Sequence, residues 1–569
     1  MEEDHCIAAA RGDIPCDLVL KNARIVNVFT GEIQHGDISV YGGRVVAMDS
    51  RKASKTIDLQ GQYLVPGLMD SHVHIESSMV NPYQYARTVI LHGTTTVFAD
   101  PHEIANVLGT EGISYMLQAA EGLPMDIFYT LPSCVPATHL ETSGASLETK
   151  DLVPFLSHPR IVGLAEMMNF PGVIHRDPKV LAKINAAKSF GKIVDGHSPG
   201  LTGNDLQAYL TAGAGSDHEC TTPEEALEKL ASGMRIMIRQ GTGAKNLDAL
   251  LPIVTEKNSR RIMLCSDDRH PHDLLDKGHI NIMVARCIAQ GVEPVTAIRM
   301  ASLNTAEYFG LRDRGGIAPG MRADLLVVPD LLNFSVVDVY TGGIKVVEGG
   351  CALPLPLDPP HQPQSRSMNL APGMLDFTIP AGPGKARIIE LIPGQVVTGA
   401  YTGTVRQEDG KALSDTEKDI LKIAVVERHH GTGNIGLGFV HGFGLQKGAL
   451  ASSVAHDSHN IIVVGVDDSD MKTAVDAVAK MEGGLVAVAD GKVLAACPLP
   501  IAGLMSDQPM EYVRQNLDAL MKVAWELGSK AADPFMSLSF LALPVIPELK
   551  LTDKGLVDVN LFNFVSLFE

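Results

Sequence analysis

None of the eight cysteines stands in a CxxC pair, and they are scattered from Cys6 to Cys497 without the density of a disulfide framework. That is the pattern of a reduced, intracellular protein. The amino-terminal stretch MEEDHC is acidic and lacks the charged-then-apolar layout of a secretion signal. No apolar run reaches the roughly 20 residues needed to span a bilayer. The chain is therefore expected in the cytoplasm, with no membrane partner. Basic side chains are in the minority, 47 against 66 acidic ones, for a formal net charge of -19. Phosphate backbones and anionic lipids are bound by basic stripes, and none is visible, so nucleic acid is not an expected partner. A small neutral or cationic substrate fits better.

Core material is plentiful: 45% of the 569 residues are hydrophobic, and the length predicts about three or four domain-sized units. From Asp17 to Met48 short alternating strands broken by Gly and polar turns suggest a small antiparallel sheet. The same texture returns from Gly315 to Gly349. These two pieces are expected to form one split β domain, residues 1–66 with 311–365, because chain ends commonly lie close together. Between them, at 67–310, short apolar runs alternate with helix-like stretches, the mark of a parallel α/β fold. Eight candidate strands can be placed there, at 63–69, 94–99, 127–131, 161–165, 192–195, 212–215, 235–239 and 262–265. That number suggests a closed (β/α)8 TIM barrel, with an open doubly wound sheet as the alternative. A Pro-rich stretch near 353–364 reads as a linker, and 366–569 as an extra C-terminal domain of α/β or α+β type.

Polar residues gather where those strands end. Strand one runs into His72 and His74 (DSHVH), and strand two into Asp100, His102 and Glu103 (ADPHE). Strand four ends at Glu166, strand five at His197, strand six at Asp217, His218 and Glu219, and strand eight at Asp267 and Asp268. The C-terminal ends of barrel strands converge on one active site, so these groups are expected to meet. Imidazole with carboxylate suits Zn, Mn or Fe. His72 and His74, at i and i+2 of an extended segment, turn to the same side and can grip one ion. Glu166 can bridge two ions, His197 and His218 can complete the second site, and Asp267 can take the proton of a water activated there. Any one of these histidines has a plainer reading as a loop residue bonded to backbone. Four imidazoles and two carboxylates at matching positions favour a shared centre. His102, Glu103, Asp217, Glu219 and Asp268 keep two readings: they orient ligands or touch substrate, or they cap loops.

The segments VPGLMDSHVHIESS, GLAEMMN, DGHSPG, GSDHE and CSDDR, in this order, resemble the amidohydrolase superfamily and, within it, the branch that hydrolyses adenine. The resemblance covers nearly the whole chain: a split β-sandwich, the TIM barrel and a C-terminal domain carrying AHDSHN. It implies conversion of adenine to hypoxanthine and ammonia in purine salvage, by a centre of two divalent ions, Mn2+ or Fe2+ first and Zn2+ as an alternative. It also implies His72, His74, Glu166, His197, His218 and Asp267 as metal ligands, with Asp267 and Glu166 as the catalytic carboxylates. Many superfamily members bridge their metals with a carbamylated lysine on strand four. Glu166 stands there instead, which argues against the dihydroorotase, hydantoinase and urease branches. Another hydrolase of cyclic amidines or amides, or an inactive barrel relative, is the alternative. A homo-oligomer, dimer or larger, is expected of an acidic enzyme of this size.

Two further motifs need a decision. GTGNIG at 431–436 matches a dinucleotide fingerprint, with Asp457 21 residues further on, but the glycine-studded GLGFVHGFG that follows opposes the helix it requires, so it reads as a loop. The cluster SSVAHDSHN places His456, Asp457, His459 and Asn460 directly before the apolar run IIVVGV. It is either a turn with local caps or a set of polar groups that the C-terminal domain presents to the barrel mouth.

Overall fold

The computed structural model describes residues 2–569 except 355–361, 364, 372 and 374. Its centre is a barrel of eight parallel strands: Leu68–His74, Thr94–Ala99, Asp126–Leu131, Ile161–Met167, Ile193–Gly196, Ser216–Asp217, Arg235–Arg239 and Ile262–Cys265. They pair in two arcs, strands one to five and strands six to eight. Val194 bridges Ala214 in parallel to join the arcs on one side. On the other, Asp267 and Asp268 continue strand eight and pair with Val73 and His74, which closes the ring. Strands one, two and four are buried at every position, as strands covered by helices on one side and filled by side chains on the other must be. Local chemistry starts the helices that cover them: Thr222 accepts the N–H of Glu225, and Pro223 occupies the first turn, where no N–H is needed.

Two strands lie elsewhere than the sequence suggests. The run 63–69 is not one strand, because the chain changes sheet at Gly67. Tyr63–Pro66 pairs with Cys16–Asn27 and Leu325–Val328 in the small β domain, and only Leu68–His74 enters the barrel. A Cβ on Gly67 would lie 2.1 Å from Thr95 Oγ1, so the crossing falls at the one residue that has no side chain. Strand six is Ser216–Asp217, not 212–215: Ala212 still belongs to the helix Gly203–Ala212, and Gly213 ends it with a φ of 126°.

The small β domain is a nine-stranded sheet assembled from both ends of the barrel segment. It is mixed and not purely antiparallel, since Cys16–Asn27 pairs antiparallel with Glu32–Tyr41 but parallel with Ala53–Asp58 and Tyr63–Pro66. Arg44 bridges Arg322, so the far edge curls back towards Leu325–Val328 around a core that includes Leu20, Ile25, Val40, Leu64, Leu325 and Tyr340. A helix not anticipated from the sequence, Glu2–Arg11, packs Ala9 near Cys16 and Val46.

The C-terminal domain is α+β, built on an eight-stranded sheet from Thr398–Gly403 at one edge to Lys492–Pro498 at the other. Its central strands are buried at every position, with alternate side chains turned to opposite faces. Ala424, Val426 and Val463 face the helix Asp468–Lys480. Ile423, Val425, Ile462 and Val464 on the other face join the apolar cluster that runs continuously into the barrel. Each such fully buried aliphatic side chain contributes about 1.5–3 kcal/mol, so the two parts share one interior. GTGNIG runs from a loop straight into the strand Ile435–His441, with no helix. The linker expected at 353–364 falls for the most part outside the described residues. No described helix is long and apolar enough to cross a membrane.

Candidate active site

At the C-terminal mouth of the barrel, strand one delivers His72 and His74, both nearly fully buried. Their Nε2 atoms lie 3.2 Å apart. Glu166 reaches in from strand four, with Oε1 3.2 Å from His74 Nε2 and Oε2 2.5 Å from His197 Nδ1 and 3.3 Å from His218 Nε2. One carboxylate therefore spans two pairs of imidazoles. Asp267 Oδ1 is 3.3 Å from His74 Nε2 and 3.9 Å from His72 Nε2. All six residues singled out in the sequence meet in one cluster, and Asp267 holds a left-handed φ of 56°, a conformation aspartate tolerates better than most side chains.

The donor set fits divalent cations. His72 Nδ1 lies 3.0 Å from Asp195 Oδ2, and His74 Nδ1 lies 3.1 Å from the carbonyl of Asp100. Both partners only accept, so both Nδ1 atoms carry hydrogen, and both Nε2 atoms, once free of protons, turn their lone pairs into the cluster. Two lone pairs facing each other at 3.2 Å repel unless positive charge lies between them. Four nitrogen and two carboxylate donors of this kind, without thiolate, suit Mn2+, Fe2+ or Zn2+.

Around this centre the structure separates the residues whose roles were open. His102 leans on it, with Nδ1 3.0 Å from Asp100 and 3.5 Å from Glu166. Glu219 lies 3.4 Å from His218 and 3.7 Å from His197. It also receives Arg239, whose Nη1 donates to Asp267 Oδ2 at 2.7 Å. Asp268 accepts a bond from Ser77. Asp217 turns away from the centre: it pairs with Lys229 at 2.6 Å, inside the barrel wall. Glu103 is clasped from the C-terminal domain by His456 Nδ1 at 2.7 Å and by His459 Nε2. Asp457 is buried nearby with one oxygen unpartnered. Three contributors were not singled out beforehand: Asp195, Arg239 and Glu76, a buried carboxyl whose Oε1 accepts the N–H of Ile104 while Oε2 has no partner. Burial pushes Glu76 up to about 7. A polar residue in an otherwise apolar strand was the available signal for Asp195 and Arg239.

Beside the cluster, at Glu103 and Asp268, opens a narrow cavity. The barrel lends it Glu76, Ser77, Glu103 and Asp268, and the C-terminal domain roofs it with Val454, His456, Leu485, Leu504, Phe535 and Phe540. Apolar walls with a few convergent polar groups are the usual make-up of a small-molecule site.

Burial alone would discharge these groups, but their mutual attraction prevails. Glu219 and Glu166 raise His197 to about 9, Glu166 raises His218 to about 9, and the histidines and Arg239 hold Glu166 and Asp267 well below the carboxylate range. In metal-free protein the histidine contribution to stability is complete below pH 6.5 and is lost as pH rises through about 9. The carboxylate contribution is lost only on acidification. Cations must displace the imidazole protons, and neighbouring carboxylates raise His74 as well as His197 and His218, so loading at pH 7 is expected to release protons, with affinity rising up to about pH 9. Calorimetry in buffers of different ionisation enthalpy measures this, and uptake without proton release would contradict the arrangement.

A closed barrel with histidines and a bridging glutamate at its C-terminal mouth defines an amidohydrolase. Residues 63–346 match the Amidohydrolase family, and residues 395–563 match the Adenine deaminase C-terminal domain. The adenine deaminase of Desulfatibacillum aliphaticivorans is 79% identical over 569 residues, covering all of both chains. That of Methanothrix thermoacetophila is 50% identical, again over all of both. The solved structure of L-hydantoinase from Arthrobacter aurescens aligns at 17% identity over 60% of this chain and 98% of that one, with a TM-score of 0.44. The chain belongs to the adenine deaminase family.

Proposed function

We infer that the chain hydrolyses adenine to hypoxanthine and ammonia, using a pair of divalent cations held by His72, His74, Glu166, His197, His218 and Asp267. The observation that carries this is the convergence of those six side chains at the barrel mouth, beside a cavity walled mainly by apolar side chains of the C-terminal domain. When bound, the cations acidify a water and polarise the attacked carbon. Asp267, oriented by Arg239, takes a proton from that water as its oxygen adds to C6 of the purine. It then delivers the proton to the amine, which leaves as ammonia. Glu166 fixes the spacing of the two halves of the site. The walls formed by Leu485, Leu504 and Phe535 exclude bulk water and strengthen each interaction within.

The imidazole and carboxylate set supports Mn2+ or Fe2+ over softer ions, with Zn2+ next. All eight cysteines are unpaired, which supports a reducing cytoplasmic setting, and adenine hydrolysis fits a role in purine salvage. Exposed Val493 and Leu494 on an edge strand, with Tyr512 and Trp525 on the neighbouring helix, support a homodimer or larger assembly. The split β domain (1–66 with 311–365), the barrel (67–310) and the roof domain (366–569) are taken as the three units.

The test is ammonia release from adenine, adenosine, cytosine and guanine by metal-free protein reloaded with Mn2+, Fe2+ or Zn2+. Adenine is expected to be turned over fastest. Turnover of another base with none of adenine, under every metal, would overturn the reading.

A further inference from the structure

The clasp between the two domains has a direction. Glu103 is buried, and both of its oxygens are taken by imidazoles of the C-terminal domain. Glu103, His456 and His459 together resemble a ligand set for a further cation, but the hydrogen positions oppose it. His459 Nδ1 accepts the N–H of Ala455 at 3.2 Å. Its Nε2 therefore carries a hydrogen and donates it to Glu103, leaving no lone pair for a metal. His459 is an anchor. Its loop is fixed in turn by the fully buried Arg428, which donates to the His459 carbonyl, and by Asn460, which donates to the carbonyl of Thr142 at 2.8 Å.

His456 differs. Its Nδ1 donates to Glu103 Oε1 at 2.7 Å, and its Nε2 has no partner among the described residues, on a ring that lines the cavity and keeps 12% of its side chain exposed. The ring cannot turn freely, because it stacks on Phe540 with centroids 4.7 Å apart and planes 22° from parallel. A carboxylate that fixes one imidazole nitrogen and presents the other to a substrate is the arrangement of a general acid–base pair.

We propose that His456, held by Glu103, exchanges protons with the purine ring during deamination, so that the roof domain supplies a catalytic residue; this rests on the adenine-hydrolase reading above. Addition of the water oxygen to C6 sends the C6=N1 electron pair to N1, and Asp267 has by then accepted the water's proton. N1 must be protonated by a second group, and the imidazolium of His456 gives its Nε2 proton to N1. Asp267 next protonates the amine, the C6–N bond breaks with its pair on the departing ammonia, and C6=O forms as Asp267 takes the hydroxyl proton. Asp267 loses that proton to solvent, and His456 regains one. One water is consumed, and one ammonia and one hypoxanthine are formed. Burial works against charge on His456, and Glu103 outweighs it, raising the group to about 9, so the proton is present at neutral pH.

The test compares H456Q and H456A with wild type as metal-loaded full chains. In both variants kcat for adenine is expected to fall about 10²–10³-fold, with KM nearly unchanged. Metal content by elemental analysis and hypoxanthine affinity by calorimetry are expected to match wild type. Added imidazole is expected to restore about ten-fold or more of the lost rate to H456A, which no wall or folding role would produce. Rates within about three-fold of wild type in either folded variant, a loss confined to KM, or absence of imidazole rescue would each overturn the proposal. Wild-type protein inert towards adenine would instead defeat the functional reading on which the proposal rests.

Discussion

Asp267→Asn is expected to retain both cations and to bind hypoxanthine, yet to deaminate adenine about 10³-fold more slowly. The amide keeps the shape of the carboxylate but accepts no proton. Among the described residues, Asp267 is the only one of the six that also receives a guanidinium, Arg239 Nη1 at 2.7 Å. That bond fixes one oxygen and leaves Oδ1 turned towards His72 and His74. Steady-state kinetics on metal-quantified protein decides the point. Near-full turnover with metal loaded would remove Asp267 from the chemistry while leaving the centre itself intact.

The largest effect on stability is expected from Lys229→Met. Lys229 is fully buried, and Nζ donates to Asp217 at 2.6 Å, Glu225 at 2.7 Å and the Ser198 carbonyl at 2.6 Å. Methionine matches its length but leaves two buried carboxylates without a counter-charge, a loss of about 3–5 kcal/mol. Asp217 and Ser198 are the chain neighbours of His218 and His197, so metal retention is expected to fall as well. Asp217 is held below the usual carboxylate range by Lys229. The pair's stabilisation is therefore present at neutral pH and is lost as pH falls through that lowered value. Denaturant unfolding at pH 7 checks this, and a midpoint equal to wild type would refute the account.

The six central residues were legible because each places a polar group beside an apolar strand, and a parallel barrel brings such strand ends together whatever their separation in sequence. Arg239 and Asp195 carried the same signal inside their strands but matched no ligand pattern, since one orients Asp267 and the other fixes the hydrogen on His72. Strand six escaped because two residues, Ser216–Asp217, are too few to show a periodicity. The segment Tyr63–Pro66 was joined to the barrel because its sequence is as apolar as the strand it precedes, and only the contact of Gly67 with Thr95 marks the change of sheet. In the C-terminal domain, helices and strands were visible as types. Their order in the sheet was not, because it depends on pairings such as Ala386–Leu391 with Ile435–His441 that no local pattern encodes. Asp217 shows the reverse case: it lies beside the proposed ligand His218 in sequence and pairs with Lys229 instead.

The apolar cluster that runs from the barrel through Ile423, Ile462 and Val464 limits how adenine can come and go. A ceiling fused to its walls cannot hinge upward as a plate without wetting that shared interior. Exchange of base and product is left to short-range breathing of the side chains and the brief helix Pro534–Phe540 at the rim, and any effort to enlarge the range of accepted bases has to begin there.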